Sequence, residues 1–511
     1  MRRDDNLPLN LTERLNSRVS MIVSLVVLAL ICLIFNRLDY SMVRKPAEEA
    51  AKAAQDTMNA QADGSAAAAA DRTVTTATVV AVGDNLIQQN ALNSGQLDND
   101  QWNYTHLYKE VRSDIQAADM AIVNQETPFA PDHDYASGYF PYYTPSEVGD
   151  ALVDAGFDVV SFATEYAADQ GQDGLSSTMQ YWASSHPQVQ VLGVHTGSPA
   201  LKLAEVNGIR VALLNYVIPV NGSTTGLTSG GGDSSGEEGS DEFYEEQDGT
   251  ATEGQSSSGS GYVLDTFSTE AVSAMISQAE SAADCIIFCA HWGEEGQTMP
   301  NEYQKQWASF LLNAGVDVLI GSFPHVLQPY GTMADEAGHK MLVYYSLGNF
   351  LAGEDQTDRC LGGLAKFTIQ KTTEGENTEI SILSPDLIPL VDHYDYDYGV
   401  YGVYRLDSYT EELAASHSLN VYYDAGLTVE GLKARADEIL SVKVTPSTGT
   451  DELDRTFDEY AGSYASSGGS SGSSDDDSYY EDYEDYEDYE DYEDYEDYED
   501  YEDYEDYEDY E

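Results

Sequence analysis

The chain has 511 residues, with 23 Lys+Arg against 91 Asp+Glu and a formal net charge of −68, which excludes a nucleic-acid binder that works by neutralising phosphates. Asp475–Glu511 holds many of the acids and no Lys or Arg, yet the rest of the chain is strongly acidic as well. Hydrophobic residues make up 41 % of the chain, enough for a sizeable buried core once the low-complexity stretches are set aside.

Residues 19–35 (VSMIVSLVVLALICLIF) are uncharged and lie between Arg18 and Arg37, at the short end of what spans a hydrocarbon core of about 30 Å. They predict one membrane-spanning helix. A cleaved signal peptide is the rival reading, but Asn36-Arg37-Leu38-Asp39-Tyr40 lacks its small-x-small cleavage pattern. Arg2, Arg3, Arg14 and Arg18 precede the helix, against Arg37, Arg44 and Lys45 after it. That bias places residues 1–18 in the cytoplasm and the main domain outside it, at the cell membrane. Residues 36–72 read as an Ala-rich linker, and the folded domain is expected over 73–461.

Within that domain, short β-branched runs alternate with helix-like stretches, the pattern of an α/β fold. The runs are TATVVAVGD, DMAIVNQE, FDVVSFATE, RVALLNYV, DCIIFCAHWG, VDVLIGSFPH and KMLVYYSLGNF. Helices are expected over Thr105–Ala118, Gly174–Ser184, Thr269–Ala282 and Tyr303–Ala314. Residues 222–261 contain nine acids and no Lys or Arg among many Gly and Ser, and read as a disordered acidic insertion. Cys285 and Cys289 share one apparent strand, where four residues span about 13 Å, too far for a disulfide. They are expected as small apolar core residues. The end of the chain, 462–511, reads as a Gly/Ser linker and a disordered Tyr-Glu-Asp repeat, in which a polyproline II backbone would put every Tyr on one edge.

In open α/β sheets the site forms outside the carboxyl ends of the strands, so the polar residue after each run is informative. Asp84 follows the first run, Asn124 and Glu126 the second, and Thr164, Glu165 and Tyr166 the third. Later runs deliver His291, His325 and Asn349. Singly, each has an ordinary reading: Asp84 as a turn residue or helix cap, Glu126 as a solvated loop acid, His291 and His325 as hydrogen-bonded structural histidines. Together they form a mix of carboxylates and imidazoles that suits Mn, Zn or Fe better than Ca.

The segments VVAVGDNLI, AIVNQETPF, FDVVSFATEYAADQGQDGL, IIFCAHWGEE, NAGVDVLIGSFPHVLQPY and VYYSLGNFL, in this order from about Thr75 to Ile388, resemble the CapA-type family of capsule biosynthesis proteins. That family is associated with bacterial poly-γ-glutamate capsules and is similar to the calcineurin-type metallophosphoesterases. The resemblance implies a four-layer αββα sandwich and a metal site at Asp84, Glu126, His291 and His325. Two positions depart from the family pattern. Ala163-Thr164-Glu165-Tyr166 stands where the family usually has Ala-Asn-Asn-His, and Phe323-Pro324-His325 where it has His-Pro-His. Glu165 is a candidate replacement ligand, and His195 a candidate source of an imidazole.

Two functions compete on this reading. One is a metal-dependent hydrolase or transferase acting on an anionic capsule or cell-envelope polymer, with Asn124 or Asn349 orienting substrate and a divalent ion activating water. The other is a non-catalytic scaffold or polymer-handling protein with a degenerate site, working beside capsule-synthesis membrane proteins. A third and weaker reading makes the tail the functional part.

Overall fold

The computed structural model of the protein describes residues 72–97, 101–218, 261–447 and 453. The expected membrane helix at 19–35, the linker before Arg72, the insertion apart from Gly261, and the tail from 462 onward lie outside the described residues. Among the described residues no helix is long and apolar enough to cross a membrane.

Two large sheets and a small two-stranded one, Val194–Thr196 with Tyr262–Leu264, make up the mixed α/β fold. The first runs Val400–Arg405, Asn377–Asp395, Leu361–Glu374, Arg72–Asn85, Met120–Gln125, Val159–Ser161 and Gln190–Leu192 from edge to edge, and Asn349–Leu351 pairs with the end of Arg72–Asn85. Arg72–Asn85 and the strands on its Met120–Gln125 side are parallel, whereas those on its Leu361–Glu374 side are antiparallel. The second sheet runs Tyr330–Ala334, Lys340–Tyr344, Val318–Ser322, Cys285–His291, Ile209–Val217 and Lys202–Val206. Its four inner strands are parallel.

Side-chain alternation explains the layering. Ala77, Val79 and Ala81 share one core cluster with Cys285, Ile287 and Cys289 of the other sheet, so those faces pack together. Val80 and Val82 point the other way, onto the helices Glu147–Ala155 and Gly171–Ser185. Ile286, Phe288 and Ala290 likewise face Thr269–Ala282 and Glu302–Asn313. Strands buried on both faces read as continuous apolar runs, which is why these strands stand out in the sequence. Cys285, Cys289 and Cys360 are free and buried.

The helix Thr269–Ala282 has the expected bounds, and two others differ from them by a few residues at most: Gly171–Ser185 and Glu302–Asn313. Thr105–Ala118 is corrected to a chain of turns that ends in the short helix Arg112–Gln116. There the backbone closes three-residue bonds, Leu107 to Tyr104 and Val111 to Tyr108, while Tyr104, Leu107, Tyr108 and Val111 are buried. The run KMLVYYSLGNF is also two strands rather than one, Lys340–Tyr344 in the second sheet and Asn349–Leu351 in the first. Gly348, at φ 61°, turns the chain between them, and its carbonyl accepts from Asp84 N–H at 3.0 Å. A Cβ on Gly83 would lie 1.8 Å from that oxygen, so only glycine lets Arg72–Asn85 pair this closely with the chain entering Asn349–Leu351.

Candidate metal centre

Strand register brings the polar residues together. Asp84 pairs with Asn124 on one side and Asn349 on the other, and His291 pairs with Ser322. Asp84, Asn124, His291 and Ser322 sit at the carboxyl ends of parallel strands, and Asn349 opens the strand Asn349–Leu351 beside them. Asp84, Glu126 and His325 form one group whose ligand atoms lie within 4.8 Å of one another, and Glu126, Glu165 and His291 form a second. Glu126 belongs to both. All five side chains are buried.

Supporting contacts fix the ligands from behind. Asn124 Nδ2 donates to Asp84 Oδ1 at 2.9 Å and reaches to 3.5 Å from His291 Nδ1, while its own Oδ1 accepts from Ser161 Oγ at 3.1 Å. The Phe323 N–H donates to Asp84 Oδ2 at 3.2 Å. Ser322 Oγ lies 2.8 Å from His291 Nδ1, which leaves Nε2 directed at Glu165. His325 Nδ1 is 3.0 Å from Asn349 Oδ1 and 3.4 Å from Asp84 Oδ2, and its Nε2 is 3.5 Å from Glu165 Oε1. The amide of Asn349 donates to the carbonyl of Arg359 at 3.1 Å. Asn124 and Asn349 thus touch Asp84 and His325 directly. Phe323 and His325 both have left-handed backbones, φ 92° and 55°. Such strain in non-glycine residues is retained where the surroundings hold it, commonly at functional sites.

Glu126 differs from its neighbours. Neither of its carboxylate oxygens meets a donor at hydrogen-bonding distance among the described residues: His291 Nε2 stays 3.9 Å from Oε1, and the side chain it leans on, Asp84, is itself an acid. Burial, followed by the charges of Glu165 and Asp84, pushes its pKa well above the ordinary carboxylate range. Burial would also raise the Glu165 carboxyl, but His291 and His325 overcome it and hold Glu165 at about 2. For His325, burial is outweighed by Glu126, Asp84 and Glu165, which keep the imidazolium well above its usual value. A doubly orphaned carboxylate flanked by two acids and two imidazoles is a poor structural element by itself. It is a good cation site, so the donor set fits one divalent ion, or two with Glu126 between them.

His195 joins neither group. Its Nδ1 lies 3.0 Å from Asp265 Oδ1, at the wall of a separate cavity of about 270 Å³. Three supporting residues escaped the sequence reading. Ser161 and Ser322 are ordinary strand serines, with no signal of their own. Asn215 had one, since it sits near the end of the RVALLNYV run. Its Oδ1 accepts from the N–H groups of Phe162 and Ala163 at 2.9 and 2.7 Å, which seats the segment carrying Glu165.

The profile of a family described as bacterial capsule synthesis protein PGA_cap matches residues 78–354. The PGA biosynthesis protein CapA of Bacillus subtilis (strain 168) is 27 % identical over 289 residues, covering 54 % of this chain and 65 % of that protein. The capsule biosynthesis protein CapA of Bacillus anthracis is 25 % identical over 262 residues, covering 46 % and 54 %. The match therefore spans less than two thirds of the length of either relative. Among solved structures, a Staphylococcus aureus protein described as a candidate 5′-nucleotidase, in complex with alpha-ketoglutarate, is similar with a TM-score of 0.34 and 11 % identity, covering 62 % of this chain and 55 % of that one. A Thermus thermophilus protein gives 0.29 and 10 %, covering 60 % and 99 %. At those scores neither bears on the chemistry. The profile match spans more than half of the chain, and the chain belongs to the PGA_cap family of bacterial capsule synthesis proteins.

Proposed function

We propose that this protein is a membrane-anchored, extracytoplasmic component of capsule biosynthesis, with an αββα sandwich of the metallophosphoesterase type. Its centre acts as a metal-dependent hydrolase or transferase on a capsule or cell-envelope polymer, anionic overall. Capsule-synthesis membrane proteins are its expected partners. The observation that carries this reading is Glu126, buried, orphaned at both oxygens and common to both ligand groups. A divalent Mn, Zn or Fe ion would polarise the scissile group and lower the pKa of a bound water. Asp84, Glu126, Glu165, His291 and His325 would hold it. Asn124 and Ser322 keep the Asp84 and His291 side chains in place, and Asn349 does the same for His325.

The test is elemental mass spectrometry on the purified full chain beside its His291→Ala and His325→Ala variants. All three carry the same acidic segments, so nonspecific cation binding cancels in the comparison. Each substitution is expected to remove about one ion or to weaken its retention at least tenfold. Equal metal content in all three would sink the reading.

A second reading, a scaffold with a worn-down centre, is favoured by one contact. The Phe323 ring lies 5.4 Å from the ring of His291 and 6.0 Å from that of His325, at the position where the family usually places a histidine. On this reading Phe323→His is expected to tighten metal binding by about tenfold, roughly 1.4 kcal/mol, in competition with a chelating dye. Unchanged affinity would mean that the ring at 323 does not stand in for a ligand.

A further inference from the structure

The cavity beside His195 takes no part in the Glu126 centre. It is built toward the carboxyl ends of Gln190–Leu192 and Ile209–Val217, where ligands bind in open α/β sheets. One wall is the small two-stranded sheet, in which His195 pairs with Val263. Asp265 is held between the two strand ends: its N–H donates to the Gly193 carbonyl at 2.9 Å, and its own carbonyl accepts from Val217 N–H at 3.0 Å. Asn215, whose Oδ1 seats the segment carrying Glu165, also lines the cavity. The volume of about 270 Å³ falls just short of the range of about 300–1,000 Å³ that holds drug-sized ligands, and it far exceeds the roughly 15 Å³ that one water needs. The space suits a ligand of amino-acid size.

His195 is the sign that a polar group belongs there. Its side chain is only 9 % exposed. A carboxylate only accepts, so the proton between His195 Nδ1 and Asp265 Oδ1, 3.0 Å apart, sits on Nδ1, and the neutral ring presents Nε2 as an acceptor. Among the described residues Nε2 has no hydrogen-bond partner, unlike the buried ring of His417, both of whose nitrogens are bonded. A buried polar atom left so is costly until something meets it. The bond to His195 uses one Asp265 oxygen and leaves the other. Of the described residues that line the cavity, Asp265 is the single acid and Lys202 the single Lys or Arg. In a chain with 91 acids against 23 Lys+Arg, a chamber holding one of each is unusual, and it matches a ligand that itself carries one charge of each sign.

We propose that this cavity binds an amino-acid group, with its ammonium on Asp265 and His195 Nε2, its carboxylate on Lys202, and its short aliphatic stem against Met179 and Met275. Free glutamate and the amino end of a γ-glutamyl chain both carry that set of groups. The site does not depend on the metal reading of the Glu126 centre, and chelator keeps the two apart in the test. The experiment is calorimetric titration of the full chain in detergent and chelator, at about pH 8, where an ordinary histidine is neutral. The titrants are glutamate, γ-glutamylglutamate and two analogues without the ammonium, N-acetylglutamate and glutarate. Glutamate or the dipeptide is expected to bind with a Kd of about 1 mM or tighter, and both analogues at least tenfold more weakly. A tighter dipeptide assigns the site to a chain end, and tighter glutamate to the free amino acid. Asp265→Asn and Lys202→Met are each expected to weaken the binding at least tenfold. Lys202 is exposed, so its substitution tests the site without disturbing the core. Binding of neither amino acid, equal binding of the analogues, or unchanged affinity in Lys202→Met would overturn the proposal.

Discussion

Replacing Glu126 with glutamine is expected to strip the chain of metal and, in chelator, to make it more stable rather than less. The two effects have one cause. Glu126 is buried with Asp84 and Glu165 beside it and has no donor at hydrogen-bonding distance for either oxygen among the described residues. An unsatisfied buried polar group costs about 1–3 kcal/mol, and a charged one more. A glutamine of the same shape removes the like-charge repulsion and brings an N–H₂ donor to the neighbouring carboxylates. A gain of about 1–3 kcal/mol in the metal-free state follows. Loss of metal should be larger than for any single histidine substitution, because Glu126 alone belongs to both groups. We expect at least a hundredfold, roughly 2.7 kcal/mol. Thermal melts with and without chelator, together with metal analysis, read both effects. The metal-free variant should melt above the metal-free parent, and added ion should raise the parent's melting point but not the variant's. A Glu126→Gln protein that melted lower in chelator would show that the carboxylate serves the fold, and the inference of a cation site would fail.

Much of this centre was legible in the sequence for one reason: parallel strands buried on both faces are uninterrupted apolar runs, and the residue after each run is the one the sheet presents at its end. That rule picked out Asp84, Asn124, Glu126, Glu165, His291, His325 and Asn349, which the fold gathers. It would have given Asn215 had it been applied to the RVALLNYV run. What it did not give is the antiparallel half of the first sheet. Leu361–Glu374 begins with Leu361-Gly362-Gly363, and Asn377–Asp395 carries Ser384-Pro385 in its middle. Glycine pairs and proline read as breaks rather than as strand interior. The structure accommodates them with a register shift between Lys366 and Thr368 and a left-handed Ser384. At Gly362 another main chain, that of Asn349, approaches so closely that a Cβ would lie 1.9 Å from its carbonyl oxygen. The glycines that obscure the strand are therefore the ones that let Asn349 pass. His195 was a candidate only as a stand-in for the imidazole that the family pattern has where this chain has Tyr166, and its strand instead pairs with Tyr262–Leu264 in a separate two-stranded sheet, beside Asp265.

Mild acid is expected to loosen the far end of the same sheet, and His417 is the residue that should govern it. Its imidazole is fully buried, and both ring nitrogens are committed. Nδ1 accepts from Leu419 N–H at 3.1 Å, capping the helix Ser418–Tyr423, and Nε2–H donates to the Asp392 carbonyl at 3.1 Å. That pattern admits only the neutral ring, because a proton on Nδ1 would face the N–H it now caps. Burial, against the pull of the Asp392 carbonyl, holds His417 at about 4, and burial together with His417 holds the adjacent His393 at about 3. In the unfolded chain both titrate near the ordinary histidine value of about 6.5. Between those values the unfolded state binds more protons, so stability is full above about pH 6.5 and is lost as pH falls toward the folded values. Each tenfold rise in proton concentration across the gap costs about 1.4 kcal/mol per histidine, so His417 alone forfeits about 3 kcal/mol by pH 4. Asp392 works in the opposite sense. Burial raises it to about 6 despite the bonds it accepts from Ala352 and Gly353 N–H. It therefore returns stability as pH falls from about 6 toward the ordinary aspartate value, offsetting part of the histidine loss. His417→Asn keeps a side chain that caps a helix and removes the titration. Melts of parent and variant at pH 7.5 and pH 4.5 should show the variant losing less on acidification, by about 4 °C for a domain of this size. Parallel losses in the two proteins would place the acid sensitivity elsewhere in this carboxylate-rich chain and refute the assignment to His417.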